Sequence, residues 1–182
     1  MLKQSVSFLA MTMISVAAFA QHSGQHQAQQ SQPNQHNHAQ YAGLQNREIK
    51  ALSLQQIEDL KSGKGMSLAL PAELNGYPGP SHALELADKL KLTVEQKKRI
   101  QDLFASMSAE AKAVGLEVIE AERKLDSLFK NKTVNAQNLK EATLTAAQAQ
   151  AKLREAHLRY HLSTTEVMSQ EQVAAYNRLR GY

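Results

Sequence analysis

From Ser81 to Tyr182 the chain carries no proline, and its glycines there are Gly115 and Gly181 alone. In that stretch the apolar positions run Ile100, Phe104, Met107, Ala111, Val114, Val118, Ala121, Leu125 and Leu128, in steps that alternate between four and three residues. A strand cannot use such spacing, because its faces repeat every second residue, whereas a helix gathers these positions into one stripe. The alternation is that of a coiled-coil seam. Asn131 to Asn135 interrupts it. A second seam then follows through Leu139, Ala142, Ala146, Ala149, Leu153, Ala156, Tyr160 and Val167, with Ser163 in its one gap. Two matching seams joined by a short turn predict an antiparallel helical hairpin. The many alanines on the seams let the two helices approach closely.

Capping chemistry sets the remaining boundaries. Ser53 with Gln56 has the form of a capping box and starts a short helix to about Ser62, stopped by Gly63 and Gly65. Met66 to Leu74 suits another helical turn or two, and Asn75-Gly76-Tyr77-Pro78-Gly79-Pro80 forces a turn. Ser81 is expected to cap a helix to about Leu90. Thr93 with Gln96 forms a second capping box, Asn135 caps the second long helix, and Ser169 caps a last helix ending at Gly181. The expected fold is all-α: a long antiparallel hairpin with short flanking helices, a hooked four-helix arrangement. Leu144, Leu158 and Leu162 fall on the far side of the second long helix. They need a cover from the elements between Tyr41 and Leu90 or from a second subunit, so a homodimer is expected.

The start of the chain has a different character. Lys3 precedes an apolar run from Phe8 to Ala20 that ends in Ala18-Phe19-Ala20, the pattern of a secretory signal cleaved before Gln21. The run is short for a membrane span. Residues 1–20 are therefore read as a signal peptide and the compartment as a periplasm. Gln21 to Gln40 contains eight glutamines and four histidines, His22, His26, His36 and His38. This segment has no apolar face to bury, so it is expected to be a disordered tail. Its imidazoles make it a weak metal-capturing segment as well as a plain tether. Residues 41–182 form the single helical domain.

Composition removes several functions. The 182 residues include no cysteine and no tryptophan, which excludes a thiol nucleophile, a disulfide framework and a cysteine-held zinc or iron–sulfur site. A net charge of +4 without a clustered basic face gives no case for nucleic acid. No phosphate-binding glycine loop and no nucleophile elbow occurs. Glu117, Glu120 and Glu122 read as a solvated helix face. The chain is expected not to be an enzyme.

The candidate site rests on histidine geometry. His157 and His161 stand four apart on a long helix, which places both imidazoles on one side, one turn apart, as joint ligation of a metal requires. On a helical wheel they lie between the seam and the Leu158/Leu162 ridge, at the edge of a packed surface. Folding the hairpin brings Met107 and Glu110 to the level of Tyr160 and His157, and His82 comes within reach if its helix folds back. The candidate ligands are then His82, His157 and His161, with Met107 or Glu110 as a fourth. A thioether in the set favours copper, and a carboxylate suits zinc, nickel or cobalt. Met107 also fits the seam as core, and Glu110 also reads as a salt-bridged flank residue. The segment His157-Leu158-Arg159-Tyr160-His161 lacks the glutamate that a His-Glu-x-x-His protease would need.

Leu92-Thr93-Val94-Glu95-Gln96 matches the LTxxQ motif of the Spy/CpxP group of periplasmic proteins. Met168-Ser169-Gln170-Glu171-Gln172 resembles a second copy, with Met for Leu and Ser for Thr. The stretches Tyr41-Ala42-Gly43-Leu44-Gln45, Glu73-Leu74-Asn75-Gly76-Tyr77-Pro78-Gly79-Pro80 and His157 to His161 look like the heavy-metal-sensor branch of that group. The resemblance covers roughly Tyr41 to Tyr182. It implies a hooked helical hairpin, usually dimeric, that works as an ATP-independent chaperone, an envelope-stress accessory or a metal-responsive sensor. Metal in the sensor members is held by helix-borne histidines with carboxylate and methionine help, and His157 and His161 match that type of pair. The expected function is to sense or buffer a heavy-metal ion such as copper, zinc or nickel, with a membrane-bound signalling protein as a further partner. The alternative is a chaperone that holds unfolded envelope proteins without metal.

Overall fold

Four helices begin on a capping box, and these boxes set the architecture. The computed structural model describes residues 41–182; the signal-peptide and tail assignments lie outside them. After a 3-10 turn at Leu44–Asn46 come α1 (Leu54–Ser62), α2 (Leu70–Glu73), α3 (Pro80–Glu85), α4 (Val94–Lys130), α5 (Ala136–Val167) and α6 (Gln170–Arg180). Ser53, Thr93, Asn135 and Ser169 each accept from the backbone N–H three residues on. The residue there (Gln56, Gln96, Asn138 or Gln172) returns a side-chain bond to the cap. The described residues are all-helical and contain no strand. No described helix is long and apolar enough to cross a membrane.

Ser81 does not cap. α3 starts two residues earlier than a Ser81 cap would set, with Gly79 at the cap and Pro80 in the first turn, where proline's fixed φ suits a helix and its missing N–H is not needed. Ser81 Oγ instead donates to Glu85 at 3.3 Å. The helix stops at Glu85 rather than Leu90, and turns carry the chain to Lys91, whose φ of 52° lies in the left-handed region.

α4 and α5 pack along their length as the hairpin. Ile100, Ala111, Val114, Val118 and Ala121 are buried on α4, and Ala146, Ala149, Leu153, Ala156 and Val167 on α5, as the seam spacing predicts. The short helices do not cover the outer leucines of α5: Leu144 and Leu162 are both 51% exposed and Leu158 is half-buried. α1 lies on α4 instead. A Cβ on Gly115 would stand 2.3 Å from the Leu60 carbonyl oxygen, so only glycine allows this crossing. Ile119 is buried on the same side.

The buried residues form two cores. One joins Ile49, Leu52, Ile57 and Leu60 to the middle of α4 and the first half of α5. The other joins Ala83 and Leu90 to Ile100, Val167, Met168 and Tyr176. A clasp closes the second core. Gln96 Nε2 donates to Gln172 Oε1 at 2.8 Å, and Gln172 Nε2 donates back to Gln96 Oε1 at 3.0 Å. Gln96 also donates to the Val167 carbonyl. The glutamines of the two LTxxQ-like segments therefore cap their own helices and hold each other.

Candidate functional site

Between the cores the seam opens. Phe104 is 39% exposed and Met107 half-buried, although both occupy seam positions. They line a cleft of about 440 Å³ together with Glu73, His82, His157 and His161. Met66 and Ser67 form part of its wall, with φ of 42° and 63°. Two successive non-glycine residues in that region store strain of roughly 1–2 kcal/mol each.

The histidine pair is more deeply placed than the helical wheel predicts. His157 is 3% exposed and His161 8%, because the segment from Gly65 to Gly79 lies over them. A Cβ on Gly65 would just touch the His157 ring at 4.0 Å. A Cβ on Gly79 would stand 2.8 Å from His161 Cε1 and 2.9 Å from Nε2, so glycine is what lets the ring sit there. His161 Nδ1 lies 2.7 Å from the Tyr77 carbonyl oxygen. A carbonyl only accepts, so Nδ1 carries the hydrogen and the neutral ring keeps its lone pair on Nε2. That carbonyl also orients the ring, as an outer partner orients a metal-binding histidine. His157 Nε2 is buried with no hydrogen-bond partner among the described residues. Burial, reinforced by the neighbouring His161, pushes the His157 pKa down and keeps the ring neutral.

Glu73 is the residue that sequence reasoning missed. It is 6% exposed. Its Oε1 accepts from Tyr176 Oη at 2.6 Å, Arg180 Nε at 3.2 Å and Tyr182 Oη at 3.2 Å, and His82 Nδ1 lies 3.3 Å away. Its Oε2 is buried and unpartnered among the described residues, 3.7 Å from His161 Nδ1. Burial works to raise the Glu73 pKa. The Tyr176 hydrogen bond and the charges of His82, His161 and Arg180 outweigh it and hold the carboxyl below its usual range. Burial and the Glu73 carboxylate push the Tyr176 phenol well up, so it remains a donor.

The remaining candidates divide. His82 and Met107 line the cleft. Glu110 does not line it. Arg159 Nη2 donates to both Glu110 oxygens at 2.7 and 2.6 Å, and Tyr160 Oη donates at 3.1 Å. The Arg159 bond, against burial and with Tyr160's help, lowers the Glu110 pKa. Its salt-bridged reading holds, and a place beside the histidines does not. The four tail histidines lie outside the described residues.

The donors, three imidazoles with a carboxylate and a thioether at the cleft, suit a borderline transition metal. No three His, Asp or Glu side chains converge closely enough to share an ion among the described residues. Joint ligation therefore requires rotamer changes, above all a turn of His161 Nε2 away from Gly79. No family model, curated protein or solved structure matches the chain.

Proposed function

We propose that this protein binds a transition-metal ion of the copper, zinc or nickel kind and senses or buffers it, without catalysing a reaction. One observation carries the reading: among the described residues, His157 Nε2 and Glu73 Oε2 are both buried and unpartnered at one cleft. Leaving a buried polar atom unpaired costs roughly 1–3 kcal/mol, more for a charged group, and native proteins keep few of them. A cation shared by these atoms would offset both. His161, His82 and Met107 stand close by as further donors. The signal-peptide pattern supports a periplasmic location for it. The LTxxQ-like segments support kinship with the Spy/CpxP group, and the half-exposed Leu144 and Leu162 support a homodimer.

Calorimetric titration of residues 21–182 with zinc, nickel and reduced copper tests the reading. It is run beside His157→Ala/His161→Ala and a variant lacking residues 21–40. Tight binding lost in the double variant supports a cleft site. Binding lost only with the tail reduces the metal role to the tail histidines. No heat in any sample sinks the proposal.

A second reading has its own support. Leu116 and Phe129 on α4 and Leu144 on α5 are each more than half exposed. Exposed apolar side chains of this kind suit a chaperone that holds unfolded envelope proteins. Suppressed aggregation of a model client, insensitive to metal and to the histidine variants, would favour it.

A further inference from the structure

The two oxygens of Glu73 face different parts of the molecule. Oε2 adjoins His161 at the cleft. Oε1 accepts from Tyr176, Arg180 and Tyr182, which belong to α6 and the two residues after it. Resting on the metal reading, we infer that α6 reports occupancy of the cleft: an ion engaging Glu73 Oε2 fixes the carboxylate, and the carboxylate fixes α6 through the three donors on Oε1.

The properties of α6 fit that role. It has 11 residues, a length at which helices are marginal unless tertiary contacts hold them. Tyr176 is its one fully buried side chain, and the hydroxyl of that residue ends on Glu73. Its other anchors include the Gln96–Gln172 clasp, a bond from Gln172 to the Lys91 carbonyl, partly buried Val173 and Ala175, and Asn177 against Gly76. Leu179 and Tyr182 stay 44% and 46% exposed. A helix held by so few groups belongs to the low-stability end of the molecule, where local opening occurs first. The apo carboxylate is charged, buried and satisfied on one side only. An ion on the other side lowers the freedom of Glu73, so α6 docks onto a partner already ordered. The coupling is reciprocal: loosening α6 must weaken metal binding by the factor by which metal tightens α6.

The test is amide hydrogen exchange of residues 21–182 with and without saturating Zn²⁺ (or Ni²⁺ or Cu⁺, whichever gives heat). Calorimetry is run on the same samples. Exchange across residues 170–182 should slow by about 5- to 50-fold on saturation, while residues 128–140 at the hairpin turn stay unchanged. Arg180→Gln/Tyr182→Phe removes two of the three donors at partly exposed positions and should abolish most of the slowing. Zinc affinity should fall by the matching factor. Tyr176→Phe, which keeps the buried ring and loses only the hydroxyl, should act in the same direction. Full-affinity binding with unaltered exchange in α6 overturns the coupling and leaves the metal reading standing. Absence of heat with every metal overturns both.

Discussion

Glu110 and Glu73 are each met by an arginine and tyrosine hydroxyls, yet they are opposites. Glu110 is saturated: Arg159 spans both its oxygens and Tyr160 adds a third bond, all at a partly exposed surface. Glu73 is buried and lopsided, with every strong donor on one oxygen and none on the other. The difference lies in geometry rather than composition. Arg159 sits on α5 facing Glu110 across the hairpin, where its Nη2 reaches both Glu110 oxygens while its Nη1 holds Glu155. Arg180, Tyr176 and Tyr182 approach Glu73 from α6 and the two residues after it, and so from one side. A saturated carboxylate has no reason to take a cation. A half-satisfied one at a cleft with two buried imidazoles does.

Several measurements can break or sharpen this contrast. The largest effect is expected from Glu73→Ala, which leaves the Tyr176 hydroxyl and the Arg180 guanidinium without their acceptor and should cost about 3 kcal/mol in urea unfolding. Glu110→Ala, which frees solvated partners, should leave the midpoint near that of other surface substitutions. Equal losses would break the comparison. Gly79→Ala ranks next. Its φ of −83° accepts any residue, but the new methyl meets His161, so we expect about 1–3 kcal/mol of overpacking. Metal binding should weaken at least tenfold. Unchanged binding would show that His161 is not a ligand.

Acid should separate the two clusters in metal-free protein. The His157 pKa is depressed in the fold, so between its folded value and the unfolded value of 6.5 the unfolded chain binds more protons. Stability should therefore fall as pH drops below 6.5, and His157→Leu should remove that slope. Glu73, also depressed, contributes stability that is complete above 4.5 and is lost as pH falls through its folded value. A flat stability profile from pH 7 to 5 would contradict a buried neutral His157. The smallest effect is expected from Arg159→Gln: little change in unfolding midpoint or metal affinity by calorimetry.

Much of the fold was readable because it rests on local rules. Alternating steps of four and three gave both long helices, and Ser53, Thr93, Asn135 and Ser169 marked helix starts where they stand. Ser81 failed because Pro80 outcompetes a serine for starting the helix. The site was readable only in part. An i, i+4 spacing brought His157 and His161 together, since helical geometry alone does so. Glu73 joins them across 84 to 88 residues of sequence; it opens the Glu73–Pro80 stretch that resembles the sensor branch, but nothing local marks its carboxylate as a donor to the cleft. The depth of the pair was hidden for the same reason: it comes from Gly65 and Gly79, in a segment whose path over α5 the sequence does not encode locally. A faint signal existed in Tyr176, Arg180 and Tyr182, donors spaced to fall near one another and waiting for an acceptor.

The reciprocal glutamine clasp has a consequence for the order of assembly. It joins residues 76 positions apart, and a contact of that range forms late because the chain between must first be organised. The turn at Asn131–Asn135 is the local event, so the hairpin is expected to zip from there toward Gln96 and Gln172. Glu73 and His82 arrive from outside the zipped stretch, and α6 completes the layer beneath them. The full donor set thus exists only near the end of folding. On the proposed metal reading, an ion that needs all of it would be caught by finished molecules and passed over by nascent ones, and the chains holding metal would be a census of those that have folded.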